Sequence, residues 1–233
     1  MNRPTFGLLT LACFALAGCA GSPTGPEAAF AESAAESSSP ALLYFEEIAL
    51  GLEYGQAEGS VHKWSGPVLV QLHGAPTAED RAALADVLDD LGRLIGANRI
   101  AVVEEGGNVD LWFAPVSQFP AIEPHYVAGN LGFFWIGWNG AGAINRARVL
   151  IASDQVTQTE RAHLIREELT QALGLVRDSD RYRESVFFQG WSETSRYAAI
   201  DETVIRMLYR PEVRPGMRRA EVISVLKSVS QTL

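Results

Sequence analysis

The segment 157–175 constrains the fold most strongly, because it contains the signal for the start of a helix and polar residues spaced to lie on one face of that helix. Thr157 and Glu160 have the T-x-x-E spacing of a capping box, in which each side chain bonds the other residue's backbone N–H. A helix is therefore predicted over 158–173, with Gly174 as its C-terminal cap. At 3.6 residues per turn the polar residues share an arc of about 80°: Glu160, His163, Glu167, Gln171 and Gly174.

The opposite side of this helix is apolar and is predicted to face the core. It carries Ala162, Ile165, Leu169, Ala172 and Leu173. Polar stripes on helices are common, so the polar arc has two interpretations. It is either a solvated face or the wall of a site.

The core of this helix, E-E-L-T-Q-A-L-G-L, resembles the zincin metallopeptidase motif H-E-x-x-H-x-L-G-L with both histidines replaced. Glu167 stands at the first metal position, Gln171 at the second, and Glu168 at the general base, which would be catalytic only in an active enzyme. In the longer matrixin-like pattern, Arg177 falls on the third ligand position. The resemblance implies an α+β, zincin-like fold: a twisted mixed sheet, an active-site-type helix and a helical C-terminal part.

Segments further along the chain extend the resemblance. Residues 185–188 (SVFF) stand where these enzymes make a methionine turn, and residues 197–209 match their final helix, L-x-x-x-D-x-x-x-I-x-x-L-Y. With the later R-P-G-M, the chain resembles an uncharacterised bacterial family of zincin-like, matrixin-related (peptidase MA-like) lipoproteins in which H-E-x-x-H is degenerate.

The replaced residues weaken the case for a metal. Glutamate can bind zinc, a glutamine oxygen is a poor ligand, and arginine stays protonated and cannot bind at all. We expect no cofactor, although zinc stays possible through His163 and Glu167, which lie four residues apart. A specific hypothesis is that Arg177 replaces the metal by pairing with Glu167 or Glu168; the alternative is a surface residue beyond a helix cap.

The N-terminus predicts export and lipidation. A short basic start and a short apolar run end in L-A-G-C, which resembles the bacterial lipobox. Residues 1–18 are predicted to be the signal peptide, 19–41 the acylated Cys19 and a flexible tether, and 42–233 the zincin-like domain. We expect an outer-membrane anchor facing the periplasm; the alternative is an ordinary signal peptide with a chance cysteine.

Upstream of the motif helix, the pattern predicts strands at 67–72, 100–103, 109–114 and 147–152, and a helix from the cap Thr77 to Gly96. Residues 129–138 are aromatic and glycine-rich. They form either a core strand or the edge of a cleft, as in the enzymes that the chain resembles, with Trp135 and Trp138 as candidate cleft residues.

The net charge is −9, and no basic cluster is present, so nucleic-acid binding is excluded as the function. Three interpretations stay open. The first is a pseudopeptidase that binds a peptide or protein partner, the second an active metal-dependent peptidase with a non-standard site. The third is a purely structural lipoprotein, which predicts a cleft filled by side chains.

Overall fold

The computed structural model describes residues 39–51, 59–97 and 99–230. The predicted signal peptide, Cys19 and residues 20–38 of the tether lie outside these ranges. Helix α1, Pro40–Ala49, begins two residues inside the predicted tether, and the Ser39 side chain accepts a hydrogen bond from the Leu42 backbone N–H at its start.

One six-stranded sheet forms the centre of the domain. Its strands are β1 Lys63–Trp64, β2 Val68–Gly74, β3 Ile100–Val103, β4 Val109–Ala114, β5 Gly132–Trp138 and β6 Ala143–Ala152. Strands β3, β2, β4 and β6 run parallel in that order, and β1 pairs with the start of β6. Strand β5 alone is antiparallel.

Strand β5 lies at the edge of the sheet. It pairs with β6 from Ile144 to Ile151, while β4 pairs with β6 over 147–152, so the two partners occupy opposite sides of β6. Within the described part of the chain, no strand pairs with the outer side of β5. Strand β5 is therefore an edge strand of the described sheet.

Helices follow and flank the sheet. They are α2 Ala78–Ile95, the 3-10 turn Val116–Gln118, α3 Phe119–Ile122, α4 Gln158–Gln171, α5 Ala199–Tyr209 and α6 Arg219–Ser230. The capping box at Thr157 and the N-cap at Thr77 are both confirmed, and Thr77 also forms a capping box with Asp80. The expected α+β class, with a mixed sheet, a motif helix and a helical C-terminal part, is confirmed as well. None of the described helices has the length and apolarity needed to span a membrane.

The two faces of the sheet pack against different elements. Alternate residues of β4 and β6 pack with the long helices in the main core: Val109, Leu111, Phe113, Ala147, Val149 and Ile151. The residues between them contribute to a smaller apolar cluster around Phe119 of α3. The motif helix α4 belongs to the main core, and Ile165, Leu169, Ala172 and Leu173 are buried there as expected.

A buried lysine joins β1 to the end of α5. The Lys63 ammonium donates hydrogen bonds to the carbonyl oxygens of Leu208 at 2.7 Å, Arg210 at 3.2 Å and Val213 at 2.8 Å. The last carbonyls of a helix have no partner within the helix, so this side chain satisfies groups that burial would otherwise leave unpaired.

We expect Lys63→Met to lower the free energy of unfolding by about 2–4 kcal/mol, because buried carbonyl acceptors lose their donor. Urea denaturation monitored by circular dichroism measures the change. Lys227→Met, at the chain's other lysine on α6, is the matched control and should change stability by less than about 0.5 kcal/mol. Equal effects at the two lysines would contradict the capping role.

Candidate functional site

Helix α4 turns its polar face into a cavity. The cavity has a volume of about 250 Å³, and its walls come from α4, the start of β5, and the segment after α4. From α4 it is lined by His163, Leu164, Glu167, Glu168 and Gln171. His163, Gln171 and Gly174 of the polar arc are buried, so the interpretation of this arc as a solvated face is wrong.

His163 and Glu167 form an ion pair in this cavity. His163 Nε2 lies 3.1 Å from Glu167 Oε2, and Nδ1 lies 2.8 Å from the carbonyl oxygen of Thr194. Both ring nitrogens therefore face acceptors, which only an imidazole protonated on both nitrogens can satisfy. Burial by itself lowers the pKa of His163, but the hydrogen bond and charge of Glu167 and the Thr194 carbonyl together raise it above its usual value.

Gln171, at the second former ligand position, contacts an acidic residue that follows the helix. Its Nε2 donates a hydrogen bond of 2.6 Å to Asp178 Oδ1, and Asp178 lines the same cavity. In the sequence Asp178 looks like a turn-capping residue, because nothing in the local pattern places it beside Gln171. The cavity thus holds three carboxylates, those of Glu167, Glu168 and Asp178.

Glu168 lies directly against the first residue of the edge strand. A Cβ atom added to Gly132 would collide with Glu168 Oε1 and lie 2.9 Å from both Glu168 Cγ and Leu164 Cδ2. Only glycine lets β5 begin this close to α4. The carboxylate, whose residue is 7% exposed, is therefore positioned where the open strand edge meets the cavity.

Arg177 does not replace the metal, and that hypothesis is wrong. Its side chain is exposed and lies over Gly51. It lines a neighbouring depression with Glu47 and Arg181, which shares Asp178 and Gln189 with the α4 cavity but does not include Glu167 or Glu168. Its backbone N–H donates to the Ile48 carbonyl at 3.2 Å, which carries the chain toward α1 and away from the cavity. Glu167 receives its positive partner from His163 instead.

The former ligand positions do not fit a standard zinc site. Glu167 and Gln171 bond to His163 and Asp178, and the third position, Arg177, points elsewhere. Within residues 39–51, 59–97 and 99–230, no three His, Cys, Asp or Glu side chains have a metal-binding arrangement. The pair His163–Glu167, considered above as a possible metal pair, is a hydrogen-bonded ion pair.

A buried carboxylate holds the turn that follows the cavity segment. Asp201 of α5 accepts hydrogen bonds from the Ser185 hydroxyl, from the Val186 N–H at 3.1 Å and from the Ala198 N–H at 2.9 Å. The Tyr44 hydroxyl bonds Ser185 at 2.7 Å. Burial raises the pKa of Asp201 despite these donors. The turn predicted at 185–188 is thereby fastened to the predicted final helix.

The aromatic strand borders a second, larger groove. Phe133 and Ile136 are buried, but they do not form the alternating set that the core interpretation predicts. Trp138 is 43% exposed, and its ring centroid lies 4.2 Å from that of His62, with the two ring planes tilted by 33°. Trp135 is half-buried between His125, at 5.2 Å, and the Arg146 guanidinium, at 4.9 Å. The groove measures about 650 Å³ and shares residues 133 and 134 with the α4 cavity, so one surface continues along β5.

Comparison with known proteins assigns a family. The family model described as "Protein of unknown function (DUF2927)" matches residues 41–228. The chain belongs to this family. The match covers nearly all of the described residues, including α4, the cavity and the groove.

The comparison with solved structures found several similar chains. Among them is a structure titled "Structure of myroilysin", with 13% sequence identity and a TM-score of 0.42. The similarity covers 63% of this chain and 95% of that chain. No curated protein matches the chain.

The His163–Glu167 pair predicts a pH-dependent stability. Because the folded-state pKa of His163 lies above its unfolded value, the pair stabilises fully below about pH 6.5 and loses that contribution as pH rises through the folded-state pKa. We expect Glu167→Gln to lower the pKa of His163, measured by NMR titration of its imidazole. Glu212→Gln, at an exposed carboxylate outside the cavity, should leave it unchanged. An unaltered His163 titration in Glu167→Gln would contradict the pairing.

Proposed function

We propose that this chain is a peptide-binding, zincin-like domain that lacks the standard zinc ligands and works as a pseudopeptidase. One observation carries the proposal: the former catalytic face of α4 borders an open cavity at the unpaired edge of β5, while its former ligand positions bond to neighbouring side chains. The cavity has room for a ligand side chain, whereas Glu167 and Gln171, at the former ligand positions, bond to His163 and Asp178.

The open edge of β5 supports an extended peptide as the guest. A peptide can add as a further strand, pairing its backbone with the free N–H and C=O groups of β5, and its alternate side chains would then point to either side. The cavity and the aromatic groove lie along this edge and offer places for those side chains. Main-chain pairing would supply affinity, and the α4 cavity and the aromatic groove would select among side chains.

The zincin-like relationship rests on the residues themselves. The E-E-x-x-Q segment lies on a helix beside the edge strand, the 185–188 turn follows it, and Asp201 of the final helix holds that turn. These are the elements that the resemblance implies, in the expected chain order. At the first former metal position, the His163 side chain pairs with the Glu167 carboxylate.

The rival interpretations make different demands. A purely structural lipoprotein predicts a filled cleft, whereas about 250 Å³ is open beside α4. An active metal-dependent peptidase with Glu168 as base needs Glu167, His163 or Gln171 to release their present partners and bind an ion. The first rival therefore fits the cavity less well, and the second requires rearrangement.

A test uses the full-length protein in detergent micelles, panned against a random peptide library and assayed for peptide hydrolysis with and without added zinc. We expect bound peptides and no hydrolysis. Gly132→Ala should weaken binding, because its Cβ displaces Glu168 at the strand edge, whereas Gly140→Ala, whose Cβ meets nothing within 4 Å, should not. Zinc-dependent hydrolysis that Glu168→Gln abolishes would establish the peptidase instead.

The proposed place of action is the cell envelope, with Cys19 lipidated and the domain facing the periplasm from the outer membrane. The support is the lipobox at the end of the short apolar run. We expect a fatty-acid label to enter the wild-type protein in bacterial cells and to be absent from Cys19→Ala. Ser22→Ala, three residues on, is the control. Equal labelling of both variants would contradict lipidation at Cys19.

A further inference from the structure

We propose that the aromatic groove selects a peptide that carries an acidic side chain between two apolar ones. The acidic residue lies opposite Gly137 and pairs with the Arg146 guanidinium, and its two neighbours pack in the groove. This inference rests on the proposed function and names the class of peptide that β5 binds. It comes from the position of Arg146, the missing side chain at Gly137 and the alternation of faces along the strand.

Arg146 belongs to the face of the sheet that faces away from the main core. It lies directly across from Gly137 in the antiparallel pairing of β5 with β6, and Arg148 lies across from Trp135. Ala147, between the two arginines, belongs to the main core. Because side chains alternate along a strand, the Trp135 side chain and the Gly137 position share the outer face with both arginines.

The lack of a side chain at Gly137 lets Arg146 reach across β5. A Cβ atom added to Gly137 would lie 3.0 Å from Arg146 Nε, 3.2 Å from its Cγ and 3.0 Å from Trp135 Cη2. The central carbon of the guanidinium lies 4.9 Å from the centroid of the Trp135 ring, a distance at which a cation and an aromatic face attract each other. The Arg146 side chain therefore extends from β6 over the edge strand, where it packs on the tryptophan ring.

The charge of Arg146 has no carboxylate partner among the residues that the structure describes. Two carboxylates line a small pocket that Arg146 borders on the outer face, but both are bonded to other groups. Asp110 bonds His73 at 2.9 Å, and Glu123 bonds Arg148 at 3.0 Å. The described lining of the aromatic groove contains no aspartate or glutamate. The exposed Arg146 is thus able to pair with a carboxylate that a ligand brings.

A strand added to the outer edge of β5 would place one side chain beside this guanidinium. Residues directly opposite each other in two paired strands point to the same face, so the peptide residue opposite Gly137 would point toward Arg146. Hydrogen bonds between a guanidinium and a carboxylate are about twice as strong as those between neutral groups. A carboxylate side chain is therefore favoured at this position over its neutral amide, and a lysine would meet like charge.

The apolar wall of the groove receives the neighbouring side chains. Peptide residues on either side of the acidic one point to the opposite face, because faces alternate in the added strand as well. On that face Phe134 and Ile136 pack with the main core, and Val176 and the exposed Trp138 also line the groove. Apolar side chains placed there remove apolar surface from water, which favours binding. The volume of about 650 Å³ lies within the range of pockets that bind small molecules.

The overall charge of the chain makes an acidic preference diagnostic. The net charge is −9, so electrostatic interactions at long range oppose the approach of an acidic peptide. A preference for an acid over its amide must therefore come from a positive group close to the bound side chain.

The test measures binding of short fluorescent peptides to the full-length protein in detergent micelles by anisotropy. All peptides have blocked termini and hold one variable position between two leucines, within a threonine-rich sequence that favours an extended strand. The variable residue is Glu, Gln or Lys. We expect the Glu peptide to bind about fivefold more tightly than the Gln peptide, and the Lys peptide to bind more weakly than either. Replacing both leucines by serine should weaken the Glu and Gln peptides alike.

Variants assign the preference to Arg146. Arg146→Gln should reduce the advantage of the Glu peptide to less than about twofold, whereas Arg206→Gln, at an exposed arginine of α5 outside the groove, should keep it. Arg146→Glu should reverse the preference, so that the Lys peptide binds more tightly than the Glu peptide. Gly137→Ala, whose Cβ would crowd Arg146 Nε, should also reduce the advantage, and Gly140→Ala is its control. Raising the salt concentration should weaken the Glu peptide more than the Gln peptide.

The outcomes separate the inference from the proposed function. Glu and Gln peptides that bind the wild-type protein equally well would overturn the inference and leave peptide binding intact, and so would a preference for Glu that Arg146→Gln does not reduce. A Gln peptide with a free carboxyl terminus that binds as tightly as the blocked Glu peptide would identify the terminal carboxylate as the anion and overturn the side-chain assignment. Failure of every peptide here and of the random library would overturn the proposed function.

Discussion

Burial of a polar helix is the constraint on which the site depends. Helix α4 is buried over most of its length although much of its sequence is polar. Buried charges cost several kcal/mol unless they are paired, so each one draws a partner from elsewhere in the chain. Arg161 bonds Asp80 at 3.0 Å and Arg166 bonds Asp90 at 2.7 Å, both on α2. The side chains of α4 thereby position α2 on one side and the residues after the helix on the other.

The same requirement shapes the cavity. In a zincin a divalent ion would compensate the carboxylate beside the motif; here a single imidazolium compensates Glu167 and also bonds the Thr194 carbonyl. The cavity also holds the carboxylates of Glu168 and Asp178.

The sequence predicted what depends on nearby residues. The N-cap at Thr77 and the capping box at Thr157 predicted where both long helices begin, and the 3.6-residue period grouped His163, Glu167 and Gln171 on one face. Prediction from the sequence failed where segments that are distant along the chain contact each other. Gly174 has a φ of +114° and a Cβ there would collide with the His62 carbonyl, so the chain turns toward α1 and takes Arg177 out of the site. Asp178 entered the cavity by the same turn, and no local pattern distinguishes these two neighbours.

The open edge of β5 also bears on how the protein behaves at high concentration. An unpaired strand with aromatic side chains can pair with the same strand of another copy and seed aggregates. Two features oppose this. The pairing with β6 shifts register between Gly137 and Trp138, which bends the edge, and the net charge of −9 makes copies repel one another. The bend and the charge together disfavour pairing of this edge with itself, which the proposed function requires if the edge is to receive a peptide.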